Sequence, residues 1–421
     1  MIGDGRGFIS KITLVEFDWS EDVERLPAKL VLKITTCDKL KEFCEKVAQI
    51  NFDSMKGMAG RVHDAEFNFY QKAHANPEFV RDMKVPKYYC GRDFDFEGIE
   101  AGYFAMEHFE NFAHRHFYHT VQESGAIDVI DVLAKLAAFS LKNPEIVDAM
   151  DTHWMDELMS EWVNQTKIEQ GLDQITAKYP ERSHQVEVMK KMLPIYETPE
   201  IYKQKLEHFS AHKILCHGDM WPGNMIWDKN EQGEYHVRNF IDWQVVHISS
   251  GVEDLMRILT SAVTADNYRN KRDFYIQHYY DTLKKHSDGV KLPWDNVEQL
   301  IEDYEKFFPI MVCVWFPMFL SFEEMLFRTC DESEKEECLK CFYDKLFCSI
   351  DEAEKLAKLD LSSIGPIDGE VDEDLPIVPI RREPMFPEDL KERLVLFGLK
   401  RKSRRSLPGL SKKKRKLICK E

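Results

Sequence analysis

The stretch Cys216–Trp227 reads CHGDMWPGNMIW, and the fold is decided by how it is read. His217-Gly218-Asp219 is followed by Asn224, five residues after the aspartate. Downstream, Phe240-Ile241-Asp242-Trp243 puts a second aspartate eighteen residues beyond Asn224. Phosphoryl transfer needs a carboxylate that orients and deprotonates the attacking hydroxyl. It also needs oxygen ligands for magnesium on the phosphates. Asp219 fits the base, and Asn224 and Asp242 fit the ligands. Strand patterns at Asn224–Asp228 and Tyr235–Ile241 flank the turn KNEQGE. A hairpin centred near Gln232–Gly233 sets Asn224 opposite Ile241. Asn224 and Asp242 then stand at one end of it, beside the loop that carries Asp219.

Upstream, Phe8–Glu16 alternates as a strand and Leu30–Ile34 (LVLKI) reads as a second. His63–Ala73 has helical spacing, and Lys87–Cys90 and Gly102–Glu107 (GYFAME) read as further strands. From Ile127 the pattern turns helical, with Val129, Val132, Leu133, Leu136 and Ala137 on one face. Amphipathic stretches follow near Trp154–Ile168, Gln185–Met192 and Val297–Phe327. Ser250-Gly-Val-Glu253 reads as a capping box ahead of Leu255–Leu259, with Asp254 and Arg257 tying that helix to the Asp219 loop. Trp315, Phe316, Phe319 and Phe322 recur at helical spacing and read as core rather than as the wall of an acceptor pocket.

The 421 residues, 43% hydrophobic and 31% charged, suit a folded body with extra segments. No run of eighteen apolar residues is present, and the N-terminal MIGDGRGFISKI lacks a signal-peptide core, so a cytoplasmic location is expected. The ten cysteines are scattered and are expected to be reduced. Cys338 and Cys341 form a lone CxxC that reads as a helix face, since neither a second pair nor a suitably spaced histidine completes a zinc set. The net charge of −17 argues against general nucleic-acid binding. It divides into +10 from Ile380 onward and −27 before it. After Leu361 the text is rich in Pro, Gly and acidic residues, as in a linker. The two basic blocks of RKSRRSLPGLSKKKRK fit a nuclear import signal, a nucleic-acid patch or a solvated tail.

HGDMWPGN followed by IDW resembles the Brenner-type motif and metal-binding aspartate of the aminoglycoside phosphotransferase/choline kinase clan. Within it the chain is similar to the CHK kinase-like, or ecdysteroid-kinase-like, branch and its nematode uncharacterised-domain subgroup. GFISKITLVEFDW, LPAKLVLKI and WQVVHISSGVEDLMRIL carry that likeness, which runs in order over about residues 3–358. HRD and DFG, the marks of protein kinases, are both missing from the sequence. The resemblance implies an α+β, two-lobed, protein-kinase-like fold. Residues 1–108 would form a nucleotide-binding lobe and 109–358 a mainly helical catalytic and acceptor-binding lobe, with 359–421 as linker and basic tail.

The same resemblance assigns roles. Lys33 would contact the α- and β-phosphates of ATP, with Glu66 as its ion-pair partner. Gly3, Gly5 and Gly7 would close over the phosphates, and the backbone of Met106, Glu107, His108 and Phe109 would hold adenine. His217 would support its loop by hydrogen bonds rather than exchange protons. ATP and Mg2+ are the implied cofactors, and a small-molecule alcohol, sterol-like or choline-like, is the implied acceptor. Two departures stand out. Relatives carry a further segment before the glycine loop, whereas here the chain starts almost inside it, which suggests either a missing lid strand or a misassigned start site. Phe139 and Ser140 stand where choline-kinase-like relatives often have a histidine. The first departure motivates an alternative: a catalytically silent pseudokinase that binds nucleotide or acts as a scaffold.

Overall fold

A computed structural model describes residues 10–19, 26–38, 41, 44, 52–95, 98–150, 165–196, 207–327 and 330–357. β-Branched and aliphatic residues alternating with polar ones build β1 (Ser10–Glu16) and β2 (Lys29–Thr36), which pair antiparallel from Ser10↔Thr35 to Glu16↔Lys29. Helix α1 (Phe52–His74) and the short α2 (Pro77–Asp82) lead to β3 (Tyr88–Arg92) and β4 (Ala101–Glu107). The sheet order is β1-β2-β4-β3, antiparallel throughout, with Lys33 of β2 opposite Phe104 of β4. Phe67, Tyr70 and Ala73 of α1 are buried, and Tyr70 packs against Phe104 with ring centroids 5.3 Å apart. This α1 is longer than the helix expected from His63, because Gly57 and Gly60 blur the pattern of its first half.

The larger lobe is mostly helical. It opens with α3 (Glu123–Lys142), which buries Val129, Val132, Leu133, Leu136 and Ala137, as the periodicity predicts. It continues with α4 (Pro144–Met150), α5 (Gln165–Lys178) and α6 (Ser183–Tyr196). Short β5 (Ile214–Cys216) precedes the hairpin of β6 (Met225–Lys229) and β7 (Tyr235–Phe240), and β8 (His247–Ser249) returns to pair with β5. Among the described residues four helices follow: α7 (Val252–Ala262), α8 (Ala265–His286), α9 (Val297–Leu326) and α10 (Lys335–Ala357). A small antiparallel sheet with its crossing helix, ahead of a hairpin embedded in helices, is the two-lobed, protein-kinase-like α+β arrangement. Among the described residues no helix is long and apolar enough to cross a membrane.

Some of the sequence readings hold in the structure and others do not. The 22-residue α8 gave no clear sequence signal, because its buried face is largely Tyr268, Tyr275, Tyr279 and Tyr280, whose hydroxyls weaken the hydropathy period. The capping box does not form as a reciprocal pair. Ser250 Oγ accepts from the Val252 N–H at 3.4 Å, but Glu253 turns to His247 and Arg257 instead of back to the cap. Cys338 is buried and Cys341 half-buried on α10, as a helix face. A histidine remote in sequence does approach, however, since ligand-bearing atoms of His119, Glu334 and Cys338 lie within 4.8 Å of one another. Trp315 and Phe316 are buried core residues. The Phe319 and Phe322 side chains, most of Trp154–Ile168 and the basic tail lie outside the described residues.

The lobes share packing at Trp243. Its indole is stacked on Phe69 of α1, centroids 4.2 Å apart and planes 13° from parallel, and its N–H donates to Phe240 O at 3.2 Å. Trp243→Ala is expected to cost about 3–5 kcal/mol of unfolding free energy, as truncation of a buried aromatic does. Urea unfolding of both proteins measures it, and a loss below 1 kcal/mol on the order-of-magnitude scale of a surface change would contradict the packing.

Candidate active site

The loop that leaves β5 is held from α7. The His217 N–H donates to Asp254 Oδ2 at 2.6 Å and the Gly218 N–H to Asp254 Oδ1 at 3.0 Å. Both carboxylate oxygens are thereby spent on the loop backbone. Gly218 has φ +79°, and a Cβ there would lie 2.4 Å from Val245 O, so the tight turn requires glycine. His217 is buried, and its Nε2–H donates to Ile241 O at 3.0 Å while its Nδ1 accepts the Asp219 N–H at 3.3 Å. Burial lowers its pKa to about 4, which keeps the ring neutral and in the tautomer these two bonds demand. The imidazole therefore ties the loop to the end of the hairpin.

Asp219 is one-third exposed. Its Oδ2 accepts from Asn224 Nδ2 at 2.7 Å and from Trp221 Nε1 at 3.3 Å. Arg257 Nη1 stands 4.0 Å from Oδ1. Burial raises the Asp219 pKa, and Arg257 opposes that rise. Asn224 also donates to Asp219 O at 2.8 Å, and its own carbonyl O accepts from the Ile241 N–H at 3.0 Å. The hairpin thus sets Asn224 opposite Ile241, and a bulge at Ile226/Trp227 leaves that end of the register intact. Asp242 follows with φ +69°, a left-handed bend that an aspartate adopts more readily than most residues.

Lys33 joins the two lobes. Its Nζ lies 2.5 Å from Glu66 Oε2 and 2.5 Å from Asp242 Oδ1. Burial alone would lower the lysine pKa, but Asp242 and Glu66 outweigh it and raise it above the ordinary value. Glu66 is pulled the other way, since burial lifts it to about 7 against the attraction of Lys33. Two carboxylates thus face one ammonium at contact distance. Asn224 has committed its Nδ2 to Asp219, and Asp242 has committed Oδ1 to Lys33. The oxygens left to them, Asn224 Oδ1 and Asp242 Oδ2, are hard donors of the kind Mg2+ prefers. The donor set fits that ion.

Other expected residues are placed with less convergence. Met106 is buried in β4, and the Glu107 N–H is already donated to Lys87 O at 2.8 Å within the small lobe. His108 follows the end of β4. Gly3, Gly5 and Gly7 lie outside the described residues. Two groups near Asp219 were missed as site residues. Arg257, expected only to tie a helix, also lies with its guanidinium 5.1 Å from the centre of the Trp315 ring. Trp221 donates directly to the carboxylate. Both came from positions whose sequence signals, an i,i+4 Glu253–Arg257 pair and a loop tryptophan, read equally well as structural.

A family profile described as DUF1679, uncharacterized oxidoreductase dhs-27, matches residues 1–360. The chain belongs to that family. Two curated proteins of Caenorhabditis elegans are similar to this DUF1679 chain. Uncharacterized oxidoreductase dhs-27 is 22% identical over 297 residues, 66% of this chain and 34% of that one. Uncharacterized kinase-like protein D1044.1 is 31% identical over 99 residues, 23% of this chain and 25% of that one. The chain thus spans about a third and a quarter of the length of these relatives. Among solved structures, macrolide 2'-phosphotransferase MphH from Brachybacterium faecium matches at 11% identity and TM-score 0.34, covering 78% of this chain and 91% of that one. The GDP complex of aminoglycoside 2'-phosphotransferase-IIIa matches at 15% identity and TM-score 0.32, covering 80% and 93%. At such scores these likenesses add nothing to the architecture, which stands on its own strand order and helices.

Behind the loop of this DUF1679 member, His247 Nε2 and Glu253 Oε2 form a buried pair 3.1 Å apart. Burial opposes charge on His247, but Glu253 prevails and raises the ring to about 9. Burial likewise opposes charge on Glu253, yet His247 and Arg257 lower it to about 2. The histidine's contribution is complete below its ordinary 6.5 and is lost as pH rises through 9. The glutamate's is complete above its ordinary 4.5 and is lost as pH falls through 2. The stability difference between wild type and His247→Gln should therefore be flat from pH 4.5 to 6.5 and shrink from 6.5 to 9. Denaturant titrations across that range check it, and a difference that grows with alkalinity would refute the charged pair.

Proposed function

We propose that this chain is an ATP-dependent kinase for a small-molecule alcohol, of the CHK kinase-like, ecdysteroid-kinase-like type. The observation that carries the reading is the meeting of Lys33, Glu66 and Asp242 from two lobes beside the Asp219–Asn224 pair. In this reading residues 1–108 bind nucleotide, 109–358 supply the chemistry and the acceptor site, and 359–421 are appended. Lys33 holds the α- and β-phosphates, and Glu66 keeps the ammonium in place. His108 and Phe109 are the better placed of the expected adenine-holding residues, since Glu107 has already spent its N–H.

Asp219 takes the proton of the acceptor hydroxyl as that oxygen bonds to the γ-phosphorus and the bond from phosphorus to the ADP oxygen breaks. Burial supports this role, since it makes the carboxylate more basic than a surface aspartate. Asn224 fixes the carboxylate's orientation with its Nδ2. Asn224 Oδ1 and Asp242 Oδ2 would hold Mg2+, which neutralises phosphate charge. An aromatic wall beside Asp219, with His116 5.4 Å and Phe117 6.2 Å from Trp221 by ring centroids, supports an acceptor with an apolar or cationic body, sterol-like or choline-like. The described sheet of the small lobe is antiparallel rather than a parallel dinucleotide-binding one, and the sequence has no G-x-G-x-x-G, which supports phosphoryl transfer over dinucleotide-dependent oxidoreduction for this chain.

Two measurements test the reading. Mg-ATP should raise the thermal midpoint of wild type and leave Asp242→Asn unmoved, because ligand binding to the folded state stabilises it. No rise in wild type would remove the nucleotide site. Asp219→Asn should keep the rise and lose roughly 10²–10⁴-fold in turnover, the usual share of a general base. Undiminished turnover in that variant would overturn the base assignment. Binding without ATP consumption by wild type, across a broad panel of alcohols, would favour the silent pseudokinase.

A further inference from the structure

Away from that site, three ligand-type side chains converge where residues 207–212 pass α9. His208 and His212 are four apart on a helical turn, and so share a face. Asp303 reaches them from α9. His208 Nε2 stands 3.7 Å from Asp303 Oδ1 and His212 Nε2 3.6 Å from Asp303 Oδ2. One ligand-bearing atom from each of the three lies within 4.8 Å of the others.

These separations are informative. Where a histidine and a carboxylate simply hydrogen-bond in this chain they close fully, His236 to Asp128 at 2.6 Å and His278 to Asp131 at 2.7 Å. Here two rings aim at one carboxylate and neither closes. Ligands on one tetrahedral ion, each about 2.0–2.1 Å from it, stand about 3.3 Å from one another. The observed gaps, which run to the two different oxygens of Asp303, are a little wider than that and beyond hydrogen-bond range.

The outer contacts are those of a prepared site. His212 Nδ1 lies 3.1 Å from Ser250 Oγ, so its N–H can be spent there and the Nε2 lone pair left for an ion. Asp303 Oδ2 accepts the indole N–H of buried Trp294 at 2.7 Å, which fixes the carboxylate. Trp294 also packs edge-on to the His212 ring, centroids 5.1 Å apart. The His212 and Asp303 side chains are only 12% and 11% exposed, while His208 is 59% exposed and provides the way in from solvent.

We propose that His208, His212 and Asp303 bind one divalent transition-metal ion, with zinc the best match. Two imidazole nitrogens and one carboxylate oxygen suit zinc and its neighbours, whereas magnesium and calcium take oxygen ligands. His212 lies two residues before β5, which runs into the Asp219 loop, and its Ser250 partner leads into α7, which grips that loop. An ion here ties the approach to the loop onto α9. The proposal is independent of the kinase reading, because it uses none of the residues assigned to phosphoryl transfer.

The test uses the full chain stripped with a chelator and then dialysed against zinc alone. One equivalent should be retained in a Cys338→Ser background, which removes the thiolate at the His119–Glu334–Cys338 cluster as a competing ligand. Zinc should also raise the thermal midpoint. His208→Ala in that background replaces an exposed side chain and should weaken zinc binding at least about tenfold and abolish the rise. Cobalt(II) should give visible ligand-field bands without a thiolate charge-transfer band, a readout that also serves on wild type should Cys338→Ser fail to fold. Full zinc retention in His208→Ala, no uptake before that change, or a cobalt spectrum dominated by thiolate would each overturn the site.

Discussion

An ammonium buried between two carboxylates is the constraint on which the rest of the structure depends. Lys33 sits in an interior strand, Glu66 on the crossing helix and Asp242 just past the hairpin, so three parts of the chain must meet for one charge to be tolerated. Removing a single partner from such a group leaves charge buried without compensation, which costs far more than the pair itself contributes. That asymmetry makes the triad a specifier of geometry more than a source of stability. It requires the small sheet, α1 and the hairpin end to be in register together.

Around this triad, the larger lobe devotes much of its polar chemistry to one short loop. Asp254 occupies both backbone N–H groups at its start, His217 reaches across to Ile241, and Asn224 holds Asp219 by backbone and side chain alike. Asp254 is raised to about 6 by burial and by neighbouring Glu253, with the loop's N–H groups pulling against that rise. The loop is thus held by groups that are themselves under electrostatic tension, the pattern expected where position matters more than economy. The His247–Glu253–Arg257 cluster then links this support to the guanidinium nearest Asp219.

Much of this was legible in the sequence, for an identifiable reason. His217, Asp219, Asn224 and Asp242 lie within one loop and one hairpin, so spacing and strand register are enough to bring them together. The apolar stripe of α3 and the pairing of β1 with β2 follow from local periodicity in the same way. What escaped depends on distant partners or on ambivalent side chains. The second carboxylate on Lys33 comes from 209 residues away. Arg257 reads as a helix tie until α7 is seen to point it at Asp219. The tyrosines of α8 hide a buried face, and no spacing rule connects His212 with Asp303 or His119 with Cys338.

The left-handed turn at Gly218 makes one atom's worth of space a control point for the whole loop. With φ +79° and a carbonyl where a side chain would begin, the position admits no alternative residue without moving its neighbours. The residues on either side of it, His217 and Asp219, each need their backbone N–H where it now is. A side chain at Gly218 would push on the Val245 carbonyl and, through the backbone, on the two N–H groups beside it, so one added carbon would be felt at Asp254 and at the His217 ring together.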